Sequence, residues 1–367
     1  MNTIKINFSP KFKPEFINEL RDSVNEYFEL NKISKYGNAN LIIKSILMCL
    51  LYFGPLIIIL SGILSSPIAI FISWVVMGFG MAGVGMVLMH DANHKSYSRN
   101  ATLNYWLSKS LYFLGGYPAN WRHQHNKMHH GFTNIDGHDE DIDPGSVLRL
   151  SPHKPLLKLH KYQHIYAWVL YGLMTLTWVT TKDFVQLRRY KKTKVHLSNS
   201  KTYRQLAIDL FISKVLYYFV FLVLPLLLLP IAWYFIVLCF LMMHFVSGFI
   251  LTVIFQTAHV VTNAAYPLPD EKGNIDNNWA IHQLSTTLDF APKSKIFSWA
   301  IGGLNYQIEH HLFPNISHVH YKNISKFVKS STEKYGLPYY VKQTFFAAVY
   351  EHYKMLKLLG RSKSISV

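Results

Sequence analysis

Three clusters of histidines, far apart in this 367-residue chain, have the residue types and spacing of metal ligands. On an α-helix, residues four positions apart lie on one face, about one turn from each other. Neutral imidazole is the commonest protein ligand of metal ions near neutral pH. The clusters, which together predict a metal site, are His90-Asp91-Ala92-Asn93-His94, His125-Asn126-Lys127-Met128-His129-His130 and Gln307-Ile308-Glu309-His310-His311.

Two long uncharged stretches predict the elements that position these histidines. Residues 45–90 and 215–269 contain no Lys, Arg, Asp or Glu. A membrane-spanning helix needs about 20 apolar residues, so each stretch is long enough for a hairpin of two spans. We therefore predict an all-α membrane protein with four transmembrane helices in two hairpins and a cytoplasmic helical cap that carries the histidines. The predicted spans are residues 45–60, 68–89, 215–229 and 231–256.

The distribution of charge predicts the orientation of the chain in the membrane. Neither predicted hairpin turn, at residues 61–67 and 225–230, carries a charge, so every Lys and Arg lies on the opposite side. The positive-inside rule makes that side cytoplasmic, and both termini with it. The net charge of +17 mostly reflects this topology. The basic surface suits an acidic electron donor or a CoA phosphate, and contact with anionic lipid headgroups explains it equally well. Nothing resembles a base-reading module, which argues against a nucleic-acid partner.

The remaining segments predict the domain organisation. Residues 1–40 are expected to form an N-terminal cytoplasmic segment, with an amphipathic helix that starts at Pro14 and places Phe16, Leu20, Val24 and Tyr27/Phe28 on one face. Residues 41–320 form the membrane domain with the metal site, and residues 321–367 form C-terminal cytoplasmic helices. Residues 164–181 are interpreted as an in-plane or partly buried helix, because a crossing there would export the basic segment 182–204.

The predicted topology places eight imidazoles on one side of the membrane. His90 and His94 follow the second span, His259 follows the fourth, and the other two clusters lie in cytoplasmic segments. Eight ligands exceed the four of a tetrahedral zinc site and suit two metal ions with open positions. Imidazole-rich sites suit zinc, copper, iron or nickel. We predict iron, because a redox-active metal gives a reason to hold two ions near lipid chains.

The three clusters resemble the histidine boxes of membrane fatty acid desaturases. The third box begins with Gln307, and in this it resembles the third box of the front-end subgroup. Enzymes of that subgroup introduce double bonds toward the carboxyl end of the acyl chain. Two further segments resemble bacterial linoleoyl-CoA desaturases, and the similarity covers nearly the whole chain. These segments are Trp279-Ala280-Ile281-His282-Gln283-Leu284-Ser285-Thr286-Thr287 and His318-Val319-His320-Tyr321.

The resemblance implies a di-iron enzyme that uses molecular oxygen to introduce a cis double bond, near a Δ6 or Δ5 position. No catalytic residue is implied beyond the metal centre. Gln307 replaces a histidine of other subgroups, and direct ligation, contact through water and an outer position stay open for it. The implied metal ligands are His90, His94, His125, His129, His130, His310 and His311, with His259 as the family's additional ligand and Gln307 as the residue whose role is open.

The resemblance also implies partners and a location. The substrate is a long-chain acyl group, and its carrier stays open between CoA, carrier protein and phospholipid. Many front-end enzymes carry a fused cytochrome domain with a His-Pro-Gly-Gly motif, which this sequence lacks. We therefore expect a separate electron donor, either a ferredoxin or a b-type cytochrome with its reductase. The implied location is a bacterial cell membrane.

The same patterns leave other interpretations open. A di-iron lipid or alkane hydroxylase could use the same metal centre, although the third box favours desaturation. A metal transporter or a di-haem cytochrome needs histidines within the spans, and only His244 qualifies. His123, His244, His318 and His320 are interpreted as structural, and His282 stays open. The acidic residues 136–143 are typical of a solvated loop, but their position just after the second cluster also suits hydrogen bonds to ligand imidazoles. Asp91 and Glu309, inside the clusters, are better candidates for such hydrogen bonds.

Overall fold

The computed structural model describes residues 6–9 and 12–362, and most of these residues are helical. Its contacts divide the chain into two compact units. The first unit comprises Met1–Asn38, Gln124–Ala167 and Ile254–Val367, and the second comprises Ala39–His123 and Trp168–Val253. The predicted all-α class is confirmed. The predicted domain boundaries at residues 40 and 320 stay predictions.

The second unit contains most of the membrane-spanning structure. Among the described residues, four helices are long and apolar enough to cross a membrane, as predicted: Ala39–Leu60, Pro67–Asn93, Tyr203–Leu228 and Trp233–His259. The third helix begins at Tyr203 rather than near residue 215, because charged side chains in its first turns have partners. Asp209 pairs with Lys201, and Lys214 pairs with Asp183.

The segments between the spans form shorter helices. The helix Gln163–Gly172 ends where Gly172 meets the fourth span, and a Cβ added there would lie 2.3 Å from the ring of Phe245. Residues 164–181 are not among the candidate spans of the described chain. Further helical segments that lie in this unit are Ala101–Ser108, Lys109–Leu114, Pro118–Trp121, Met174–Thr177, Trp178–Lys182 and Asp183–Lys192.

A buried ion pair fixes the third span against the preceding helix. The Nζ of Lys214 donates to Asp183 Oδ2 at 2.5 Å and to the Trp178 carbonyl at 2.8 Å. Asn120 donates to the Asp183 carbonyl at 2.8 Å. Both charged residues are buried, and burial raises the pKa of Asp183. Removing one partner therefore leaves an uncompensated charge in an apolar environment.

We expect Lys214→Met to destabilise the protein by about 3–5 kcal/mol, the range for a buried pair that loses one member. Thermal unfolding of the purified protein in detergent measures the effect. Lys201→Met is the matched control, because its pair with Asp209 is exposed and worth about 1 kcal/mol at most. Adding Asp183→Leu to Lys214→Met should restore most of the loss. Equal melting of the two single variants would contradict the expectation.

The N-terminal helix Pro14–Leu30 belongs to the first unit and confirms the predicted amphipathic pattern. Phe16, Leu20, Val24 and Phe28 are buried along one face. They form part of a core shared with the helices Gln307–Leu312 and Tyr321–Tyr335. The apolar face of this helix therefore packs against Gln307–Leu312, which carries the third histidine cluster, and against the later helix Tyr321–Tyr335.

Two short parallel strand pairs complete the first unit. Asn7–Phe8 pairs with Asn274–Ile275, and Leu288–Phe290 pairs with Tyr340–Lys342. Because of the second pair, the last helix begins at Phe345 rather than near residue 341, and it ends at Leu359 as expected. The other helical segments are Arg122–His129, His130–Phe132, Glu140–Ile142, Lys158–Tyr162, Trp279–Thr286, Lys295–Ala300 and His318–His320.

Candidate metal centre

His125 and His129 of the second histidine cluster lie on a π-helix, Arg122–His129, and His130 begins the short α-helix that follows, His130–Phe132. The i→i+5 hydrogen bonds of a π-helix widen the turn, so that residues four and five positions apart both meet. The rings of His125 and His129 have centroids 5.4 Å apart, and those of His125 and His130 lie 4.8 Å apart. The wider turn therefore brings all three imidazoles of this cluster together.

The third cluster lies on the short helix Gln307–Leu312. Gln307, His310 and His311 have the i, i+3, i+4 spacing of one helical face, and all are at most 1% exposed. The centroid of the His130 ring lies 4.5 Å from that of His310 and 4.4 Å from that of His311. The second and third clusters are thus adjacent within the first unit.

His259, at the end of the fourth span, joins these clusters. The ring centroids of His129, His259 and His311 form a nearly equilateral triangle with sides of 4.7, 4.7 and 4.9 Å. One ring nitrogen of each residue lies within 4.8 Å of the others, and none of the three is more than 1% exposed. Three distant segments therefore supply one buried group of ligand atoms. His125, His129 and Asp141 form a second such group.

The donor set of the triangle fits a metal ion. Across the described residues, Nε2 of His129 and Nε2 of His259 are buried without a hydrogen-bond partner, an arrangement that costs free energy unless another ligand is bound. An oxygen beside Nδ1 favours a proton there and leaves Nε2 able to bind a metal. The nearest Nδ1–oxygen contacts are His129–Asp139 Oδ2 (3.1 Å), His259–Thr286 O (3.3 Å), His311–Gln283 Oε1 (2.7 Å) and His310–Tyr321 Oη (3.1 Å).

The acidic segment after the second cluster is partly buried, so the solvated-loop interpretation is wrong for Asp139. This carboxylate is 1% exposed and accepts hydrogen bonds from the backbone N–H groups of Asn134 and Asp141, each at 2.9 Å. Burial alone would lower the pKa of His129, but the charge and hydrogen bond of Asp139 raise it overall. Asp143, by contrast, is exposed.

The first cluster lies at the end of the second span, in the second unit. His90 and His94 are buried, and their ring centroids are 4.7 Å apart. The ring of Trp121 meets both imidazoles edge-on, at 6.1 and 6.0 Å. Asp91 Oδ1 lies 3.7 Å from His90 Nδ1, beyond hydrogen-bond distance. His90 and His94 stay predicted ligands.

Gln307 and Glu309 have different surroundings within the third cluster. The Nε2 of Gln307 donates to the Leu304 carbonyl at 2.8 Å, while its buried Oε1 has no hydrogen-bond partner in the part of the chain that the structure describes. Glu309 accepts a hydrogen bond from Tyr339 at 3.1 Å and lies beside Asp289. Glu309 therefore joins a buried acidic pair rather than an imidazole, contrary to our expectation.

The histidines that we interpreted as structural have protein partners. His244, within the fourth span, lies 3.0 Å from the Tyr217 hydroxyl and 3.1 Å from that of Thr175. His320 donates to the Tyr36 carbonyl at 3.1 Å. His282, whose role the sequence leaves open, is buried against Phe8, and burial lowers its pKa to about 4.

Sequence reasoning missed most of the residues beside the imidazoles. Gln283, Thr286 and Tyr321 belong to segments that carried a family resemblance but no assigned role. Their side chains lack the spacing of metal ligands, so only their placement beside an Nδ1 atom identifies them. A signal was present only for Asp139, whose position shortly after the second cluster suggested hydrogen bonding to an imidazole.

Comparison with known proteins agrees with this site. Residues 65–343 match the family model described as fatty acid desaturase. The sn-1 linoleoyl-lipid 6-desaturase of Arthrospira platensis is 33% identical to this chain, over 98% of the chain and 95% of that protein. The protein of the same name from Synechocystis sp. is 30% identical, over 95% and 97%. The acyl-lipid (8-3)-desaturase of Physcomitrium patens is 34% identical, over 94% and 72%.

These matches confirm the predictions of a front-end desaturase and of an oxidoreductase, and they favour neither the hydroxylase nor the transporter. Together with the four apolar helices, they also support an integral membrane location. With a family match that spans most of its length and two relatives aligned almost end to end, the chain belongs to the membrane fatty acid desaturase family.

Proposed function

We propose that this protein is a front-end acyl-lipid desaturase that inserts a cis double bond at the Δ6 position. Two of its relatives are named as 6-desaturases of linoleoyl lipids, and both align with nearly the whole chain. Relatives named for Δ5 or 8-3 desaturation also act near the carboxyl end, but they align with a smaller share of their own length. Linoleate esterified in a membrane lipid is therefore the proposed substrate.

The proposed cofactor is a pair of iron ions, and the observation that carries the proposal is the buried triangle of His129, His259 and His311. When bound, the ions supply the oxidation in which molecular oxygen, two donated electrons and two protons take up two hydrogen atoms from the acyl chain, so that a double bond and two molecules of water form. The spacing of His90 and His94 and the family resemblance support their inclusion. The proposed ligands are His90, His94, His125, His129, His130, His259, His310 and His311, with Gln307 as a further ligand or outer partner.

The chain's own residues hold these ligands and shield them from water. Phe255, one turn before His259, packs its ring 4.9 Å from that of His129 and 5.3 Å from that of His259. It also contacts His125, at 5.8 Å. An aromatic ring against three imidazoles excludes water from one side of the site, as chemistry on an unactivated methylene requires.

The electron donor and the orientation are part of the proposal. A ferredoxin or a b-type cytochrome with its reductase would supply the electrons. The positive-inside rule supports a cytoplasmic metal centre and cytoplasmic termini in a bacterial cell membrane.

Fatty-acid profiling tests the proposed reaction. We expect a host that lacks Δ6 desaturase activity, expresses this chain and is fed linoleate to accumulate a product with a new cis bond at Δ6. Gas chromatography–mass spectrometry locates the bond. A short pulse of labelled linoleate should give labelled product in phospholipid before it appears in the CoA pool. A new bond on the methyl side, or a hydroxylated product without an alkene, would overturn the proposal.

A further inference from the structure

The helix Trp279–Thr286 contains none of the proposed ligands, yet it contacts three of them. Trp279 donates its indole N–H to the His130 carbonyl at 2.9 Å. Gln283 contacts both His130 and His311, and the Thr286 carbonyl accepts from His259 Nδ1 at 3.3 Å. Residues 279, 283 and 286 have the spacing of one helical face. One face of this helix therefore contacts the second cluster, the third cluster and the end of the fourth span.

The hydrogen bonds of Gln283 leave one arrangement of its side-chain amide. Its Nε2 donates to the His130 carbonyl at 3.2 Å, and that carbonyl can only accept. The amide oxygen must therefore face the other way, where it lies 2.7 Å from His311 Nδ1. Because this oxygen can only accept, the proton of His311 is on Nδ1, and Nε2 keeps its lone pair for a metal.

Thr133 supports the same arrangement from the second cluster. Its hydroxyl lies 2.7 Å from the His129 carbonyl and 2.9 Å from Gln283 Oε1. Both of these oxygens are acceptors, and the hydroxyl, which has one proton, donates to one of them at a time. The hydroxyl also lies 3.3 Å from His311 Nδ1, and Thr133 and Gln283 are fully buried. Gln283 is therefore held at both ends of its amide, without access to bulk water.

We propose that Gln283 is a positioning residue of the metal centre. It sets the tautomer of His311 and joins the third histidine cluster to the backbone of the second. This inference rests on the proposed metal centre. It assigns a role in metal retention to a residue outside all three histidine clusters, on a helix whose Trp279 and Thr286 contacts hold two further ligands in place.

The test compares three variants of the full-length protein purified in detergent and loaded with iron(II) under anaerobic conditions. Gln283→Met keeps the size of the side chain and removes both polar contacts, whereas Gln283→Glu keeps only the acceptor toward His311. Gln163→Met is the matched control, because Gln163 is equally buried and hydrogen-bonded to Arg149 and Leu356 without contacting a proposed ligand. Iron content, iron release to a chelator and thermal unfolding are measured for each.

We expect Gln283→Met to release iron about 10–100-fold faster than the wild type, the usual effect of losing an outer partner of a ligand. The rate of iron release from Gln283→Glu should lie between those of the wild type and Gln283→Met. Gln163→Met should release iron at the wild-type rate, even if its melting temperature is lower. Equal iron release from Gln283→Met and Gln163→Met would overturn the inference alone. A wild-type protein that binds no metal would overturn the proposed metal centre, and the inference with it.

Discussion

His129→Ala is expected to reduce desaturation below detection, by more than about 100-fold, which exceeds the usual loss for an outer partner of a ligand. His129 is fully buried, and it belongs to both groups of potential ligand atoms within the first unit. Its ring is one corner of the triangle with His259 and His311. Removing the imidazole of His129 therefore deprives both candidate groups of a nitrogen ligand. It also leaves a buried space that alanine does not fill.

Product formation from linoleate, normalised to the amount of protein in the membrane, measures this effect. His196→Ala is the matched control, since His196 is exposed and contacts only Asn199, at 2.7 Å, among the hydrogen bonds of the described chain. The control should retain full activity. Iron content of the purified proteins should fall in His129→Ala and stay unchanged in His196→Ala. An active His129→Ala variant would show that the metal centre is wrongly assigned.

Asp139→Asn is expected to lower activity and iron affinity by about 10–100-fold. All groups around the Asp139 carboxylate donate hydrogen bonds: His129 Nδ1 and the backbone N–H groups of Asn134 and Asp141. Asparagine has one oxygen, and its amide NH₂ would face one of these donors. The variant therefore loses an acceptor, along with the negative charge that stabilises a proton on His129 Nδ1.

Asp143→Asn is the control for this prediction. Asp143 lies in the same acidic segment, but it is exposed, and its ion pair with Lys154 has an N–O distance of 3.4 Å at the surface. We expect its activity and iron content to match the wild type. If both aspartate variants lose activity equally, the charge of the whole segment matters rather than the contact with His129.

Much of the fold could be predicted from residue patterns, because membrane spans and amphipathic helices depend on residues that are close together in the sequence. Uncharged stretches of sufficient length predict spans, and apolar spacing predicted the buried face that starts at Phe16. The third span was placed too late because Asp209 and Lys214 were treated as unpaired charges. Their partners, Lys201 and Asp183, lie 8 and 31 residues away, and no local pattern shows that such pairs form.

For the metal centre, the types and spacing of the histidines determined which residues are candidate ligands and predicted a metal site. The π-helix of the second cluster, the joining of His259 to His129 and His311, and the contacts of Asp139 and Gln283 emerged only from tertiary structure. The physical reason is that a ligand set is recognised by its donor atoms, which the sequence displays directly. The partners that orient those atoms are ordinary polar groups, and they acquire their role only when packing brings distant segments within hydrogen-bond distance.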